Sequence, residues 1–126
     1  RSVLMIKVPG EKSFKTSALT ETIDIFPTLL DYCKPKDQST RFALDGLSQR
    51  AVISGEQKSL RKTAVSYWGK QVSVRTDTHR LIMNKDGSKP FLFEMNDGFT
   101  VTEDIATSNS KLIQEIKERL KTPIKN

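Results

Sequence analysis

The sequence holds a single cysteine and a single histidine in 126 residues. One thiol excludes an internal disulfide and leaves the redox compartment open. One imidazole, His79, excludes a metal site built from several histidines and leaves any Ser-His-Asp arrangement only that residue to use. Apolar runs extend only a few residues, so neither a membrane span nor a signal-peptide core is present in the sequence. Neither Asp-Asp nor Asp-Asn-Gly occurs, and a hard cation of high coordination number needs such converging oxygens. Repeats and low-complexity segments are lacking too. The chain begins at Arg1 without a methionine and enters a strand-like run at once, so it reads as a piece of a longer polypeptide.

What is present suits one domain with a modest core: hydrophobic content of 36% against charged content of 29% is typical of a soluble protein. The formal charge of +6 is concentrated in one sector. Between Lys58 and Lys89 stand eight basic residues (Lys58, Arg61, Lys62, Lys70, Arg75, Arg80, Lys85, Lys89) and two acidic ones (Asp77, Asp86), leaving thirteen of each sign for the remainder. Such a sector attracts polyanions. It equally describes a solvated sheet edge, where lysines discourage strand pairing with other chains.

The first half is organised around Ile23 to Tyr32. Asp24 is placed to cap a helix, Pro27 falls in its first turn, and Phe26, Leu29 and Leu30 set apolar bulk on one side. Lys34-Pro35 ends it near Cys33. Upstream, Val3 to Val8 is almost continuously apolar and predicts a strand buried on both faces, terminated by Pro9-Gly10. Ala51-Val52-Ile53 is a short buried segment, and Gln57 to Lys62 an exposed basic connection.

The second half predicts four strands: Ala64 to Trp68, Lys70 to Thr76, Arg80 to Asn84 and Pro90 to Met95. Val72 and Val74 alternate with Gln71, Ser73 and Arg75, and Asp86-Gly87 is a hairpin signal. Short connections make these an antiparallel meander. A helix from Asn109 or Ser110 to about Lys121, with Leu112, Ile113, Ile116 and Leu120 as its stripe, can cover one face. The fold class is α+β: a small four-stranded antiparallel sheet covered by a C-terminal helix, preceded by a strand and helix suited to the end of an α/β domain. The boundary is drawn between 1–56 and 57–126.

The ordered stretches Val-Leu-Met-Ile-Lys-Val-Pro-Gly (3 to 10), Ile-Asp-Ile-Phe-Pro-Thr-Leu-Leu-Asp (23 to 31), Asp-Gly-Leu-Ser (45 to 48) and Val-Ser-Val-Arg-Thr-Asp-Thr-His-Arg-Leu-Ile (72 to 82) carry a resemblance. Together they resemble the C-terminal part of the sulfatases of the alkaline-phosphatase-like group, iduronate-sulfatase-like members in particular. Leu-Phe-Glu-Met (92 to 95) stands where that family has Leu-Tyr-Asp-Leu, and Asp104-Ile105-Ala106 where it has Asn-Leu-Ala. The family's Asp-Pro-x-Glu turn is replaced by Gly98-Phe99-Thr100-Val101.

The resemblance implies a parent that hydrolyses sulfate esters, with a formylglycine made in a Cys/Ser-x-Pro-x-Arg motif and a bound calcium ion. Cys33-Lys34-Pro35-Lys36-Asp37 begins like that motif but lacks its serine and arginine, so Cys33 reads as a small buried or half-buried thiol. Neither catalytic nor metal-binding residues are expected in this chain, which alone should be inactive. Its expected partners are the N-terminal catalytic domain of the same protein and a sulfated small molecule or polysaccharide, such as a glycosaminoglycan-type sugar. Nucleic acid is disfavoured. Sulfatases of this type are commonly exported or lysosomal.

The candidate substrate-rim residues are Tyr67, Trp68, Lys70, Arg75, His79 and Arg80. A Trp beside a Lys can stack on a sugar ring and pair with its sulfate. Trp68 can equally pack beneath the last helix as core, Arg75 can pair with Asp77, and His79 reads also as a half-exposed strand-end residue. Two rivals stand beside the sulfatase reading. One is an autonomous polyanion-binding module using Lys58 to Lys89; the other is a structural or self-associating domain, with Val3 to Val8 adding to a second copy as a strand.

Overall fold

In the computed structural model the residues described are 3–36, 43–95 and 103–121. They fall into two compact units, 1–61 and 62–126. The Gly98 to Val101 stretch lies outside the described residues.

The second unit is a four-stranded antiparallel sheet, β1 (Ala64–Trp68), β2 (Gln71–Arg75), β3 (His79–Asn84) and β4 (Phe91–Glu94), in spatial order 1-2-3-4. The register sets Val65 opposite Val74 and Tyr67 opposite Val72; Val74 pairs in turn with Leu81, and Val72 with Met83. Because side chains alternate between faces, these rows share one face, and Leu92 continues it on β4 opposite Leu81. Helix α3 (Ser110–Lys121) places Ile113 and Ile116 in the same apolar cluster as Val72, Val74, Leu81, Met83 and Leu92. The β3–β4 turn is closed by Gly87 at φ +83°, a conformation an L side chain adopts only under strain. Lys117 Nζ donates to the Gly87 carbonyl at 2.8 Å, tying the helix to that turn. The α+β architecture expected for this half is therefore formed.

The first unit is built differently. A 3₁₀ turn (Thr22–Asp24) leads into α1 (Ile25–Cys33), and a one-turn helix, α2 (Arg50–Ile53), follows. Helix α1 stops at Lys34, which takes the left-handed conformation at φ 42° and whose N–H closes on the Leu30 carbonyl. Asp24 does not cap α1 through its side chain. Its carboxylate is wholly buried and accepts from the amides of Glu21 (2.9 Å) and Leu47 (2.8 Å), from Gln49 Nε2 (3.2 Å), and from both Nε (2.9 Å) and Nη2 of Arg61. Arg61 Nη1 pairs with Glu21 at 2.7 Å. Thr28, one turn after Asp24, donates to the Asp24 carbonyl at 2.6 Å and accepts from the Gln49 amide at 2.9 Å.

Four expectations for this unit are corrected. Arg61 is buried, not part of an exposed connection, because its cation offsets the buried Asp24 carboxylate and also pairs with the partly covered Glu21. It thereby belongs with residues 1–61. The inward side of α1 is Asp24 and Thr28, whereas Phe26 and Leu29 are about half exposed. Val3 to Val8 lies in no strand, with Val3 81% and Met5 88% exposed. A ladder needs a neighbour for its N–H and C=O groups, and among the described residues none runs alongside this segment. Cys33 is exposed, not the buried or half-buried thiol expected.

Candidate functional site

Strand β1 ends in Tyr67-Trp68 and turns through Gly69-Lys70 into β2. Gly69 sits at φ +53°, which lets a two-residue connection reverse the chain. The turn projects beyond the core, so the two aromatic rings lose the cover that Val65 enjoys. Trp68 is 85% exposed and Tyr67 66%. Trp68 is thus not core. Successive residues point to opposite faces, which puts Trp68 on the face turned away from α3 and Tyr67 on the helix side near the sheet's end.

A cation joins this group that local sequence grouping missed. Lys85 follows the last residue of β3, and its amide donates to the Lys70 carbonyl at 2.9 Å. Its ammonium lies 5.6 Å from the centre of the Tyr67 ring, within cation–π range. The signal for it was the Asp86-Gly87 hairpin, which fixes where β3 ends. Tyr67 and Lys85 thus meet on the helix side of this hairpin, Trp68 stands exposed on its opposite face, and Lys70 lies in the turn between them. Either exposed ring can stack on the apolar face of a sugar ring, and a nearby ammonium group can hydrogen-bond an anionic substituent.

The other three candidates lie at the far end of the strands. Arg75 and Arg80 are direct cross-strand partners. Arg75 Nε donates to the Thr76 carbonyl at 2.9 Å, and Arg80 Nε to Ser73 Oγ at 3.0 Å. His79 opens β3, and its Nδ1 lies 2.8 Å from Thr78 Oγ1. Five residues of β2 at about 3.3 Å each separate the two ends, roughly 16 Å. The six candidates therefore form two clusters rather than one rim: Tyr67, Trp68 and Lys70 at one end, Arg75, His79 and Arg80 at the other.

Among the described residues, no group of three or more His, Cys, Asp or Glu side chains converges as a metal would require. Cys33 stands exposed at the end of α1 beside left-handed Lys34. Asp24 is the one buried carboxylate among the described residues of the first unit. Burial works to raise its carboxyl, but the Arg61 hydrogen bonds, the Leu47 and Glu21 amides and the Arg61 charge override it and hold it below the usual carboxylate range. Asp24 in turn holds the Arg61 guanidinium above its ordinary value. With every near neighbour of that carboxylate donating to it, the cluster is a structural tie and has no lone pair placed for chemistry. No helix among the described residues is long and apolar enough to cross a membrane. No protein-family model matches the chain, and no curated protein matches it.

Proposed function

We propose that this chain is the C-terminal part of a sulfatase-like hydrolase of sulfate esters, in which 62–126 shapes the substrate pocket and residues elsewhere in the parent break the ester. The observation that carries the reading is Trp68: an aromatic ring this exposed, next to the Gly69-Lys70 turn, is costly to leave in water and useful against a sulfated sugar. The ordered sulfatase-like stretches support it. So does the uncovered apolar surface of Val3 to Ile6 and of Ile23, Phe26 and Leu29, which a catalytic domain of the same protein would cover. Without that cover, Val3 to Val8 favours association with a second copy, a tendency that sedimentation at rising concentration would reveal.

Trp68 is the only tryptophan, so intrinsic fluorescence reports on this patch alone. Titration with a sulfated uronic-acid disaccharide should change its emission, and the desulfated sugar should bind about fivefold or more weakly, the effect of roughly one exposed charge contact. Unchanged emission with both sugars rejects the rim assignment.

The polyanion-binding reading is favoured by a different observation. With Arg61 withdrawn into the first unit, five cations of the Lys58–Lys89 sector are exposed (Lys58, Lys62, Lys70, Lys85, Lys89), and Arg75 and Arg80 are half-buried. On that reading heparin affinity falls steeply with salt, is lost on charge reversal of Lys70, Arg75 and Arg80, and survives Trp68→Ala. On the sulfatase reading Trp68→Ala removes most of the disaccharide response.

A further inference from the structure

The end of the sheet opposite Trp68 carries a depression of about 450 Å³ within 62–126, and its lining is chemically mixed in a directed way. Three groups that can carry positive charge reach it from three elements: Lys62 from the segment before β1, His79 from the start of β3, and Arg119 from the last turns of α3. Leu112 and Ile116 supply an apolar wall from α3. Asp77, in the β2–β3 turn, is the one carboxylate, leaving a fixed charge of +1 before the imidazole is counted. Among the described residues neither Lys62 nor Arg119 makes an ion pair. The His79 ring is oriented through Nδ1 by Thr78, which leaves Nε2 without a partner among those residues and turned to donation or acceptance elsewhere.

Cations gathered over an apolar wall in a concavity of this size match a specific kind of guest: a small organic anion whose charged group meets Lys62 and Arg119 while its apolar body lies on Leu112. The Thr78 hydroxyl and Asp77 carboxylate add one neutral and one acceptor contact for polar substituents on that body. We infer that this depression is a second ligand site, for a small organic anion bearing an apolar ring, separate from the Tyr67–Trp68 patch and independent of the sulfatase reading.

The test is a ¹H–¹⁵N titration of the whole chain with naphthalene-2-sulfonate, run beside naphthalene-2-methanol, which has a similar ring without the charge, and inorganic sulfate, which has charge without the ring. Amide shifts should concentrate on Lys62, Thr78, His79 and Arg119. Each of the two control compounds should bind more weakly than the sulfonate. The double variant Lys62→Gln/Arg119→Gln should weaken the sulfonate about fivefold or more, as the loss of two exposed charge contacts allows. Both side chains are exposed, so an unchanged melting temperature verifies that the fold is kept. Lys111→Gln, the same charge change on the same helix away from the depression, should leave binding unaltered, as should Trp68→Ala. Shifts spread over unrelated lysines, equal binding of the neutral analogue, or a double variant that binds like the parent would each overturn the site. Loss of binding on Trp68→Ala with retention in the double variant would move the ligand to the hairpin patch and reject this depression.

Discussion

The two units bury opposite kinds of side chain. In 62–126 the buried side chains are mostly Val, Leu, Ile and Met, drawn from β2, β3, β4 and α3, with Val65 of β1 partly buried against them. In 1–61 the fully buried groups are Asp24 and Thr28, with Gln49 and Arg61 around them, while Val3, Met5, Phe26 and Leu29 face outward. One is held by removing apolar surface from water; the other by a buried ionic hub in which Arg61 offsets the Asp24 carboxylate. The first kind of cohesion tolerates loss of a contact in proportion to the volume removed. The second fails abruptly, because deleting one partner strands the other's charge.

The largest effect expected is therefore at Arg61. Arg61→Met leaves the buried Asp24 carboxylate without its cation and Glu21 without its partner, and should cost about 3–5 kcal/mol, read as early urea unfolding of amides in 1–61 with those of β2 and β3 unaffected. In the other unit, Leu81→Ala removes a fully buried side chain facing Val74 and Leu92 and should cost about 2–5 kcal/mol, read in β2 and β3 amides. If either substitution melts both units together, the division of cohesion drawn here is wrong.

Gly46→Ala sharpens the contrast by steric means. A Cβ there would sit 2.6 Å from the Ile23 carbonyl carbon and closer still to its oxygen, and backbone cannot swing aside as a side chain can. Loss of about 1–3 kcal/mol from the first unit is expected by thermal melting, since the Leu47 amide that bonds Asp24 is the next residue.

Acid separates the units as well. The Asp24 carboxyl ionises at lower pH in the folded chain than in the unfolded one, where the value is about 3.9, so folding favours its charged form. That contribution is complete above the unfolded value and is lost as pH falls through it toward the folded value. Acid titration should then loosen 1–61 before 62–126, and Asp24→Asn should remove most of that difference. The smallest effect is at Trp68: an 85% exposed ring contributes little to stability, and Trp68→Ala should change it by no more than about 0.5 kcal/mol.

These differences also decide what the residues alone could reveal. The second unit was legible because its cohesion is periodic: Val72 and Val74 alternate, Leu112, Ile113 and Ile116 recur at helical spacing, and Asp86-Gly87 fixes a turn. The first was not, because Asp24 meets Arg61 across 37 residues, and neither periodicity nor spacing encodes such a pairing. Asp24 looked like a helix cap and Arg61 like a solvated cation, both sound locally and both displaced by a long-range contact. At the candidate site, Tyr67, Trp68 and Lys70 are neighbours in sequence and were found together. Lys85 joins them only through the β2–β3 pairing, and the same pairing carries Arg75, His79 and Arg80 to the other end.

The most direct test of the sulfatase reading is the coding sequence on the 5′ side of the Arg1 codon. The account predicts an open frame continuing upstream, with a Cys- or Ser-x-Pro-x-Arg motif a few hundred residues earlier and acidic metal ligands before it. Activity would then be sought in the full protein. A start codon close to Arg1 would contradict the account and leave anion binding by 62–126 as the function to pursue.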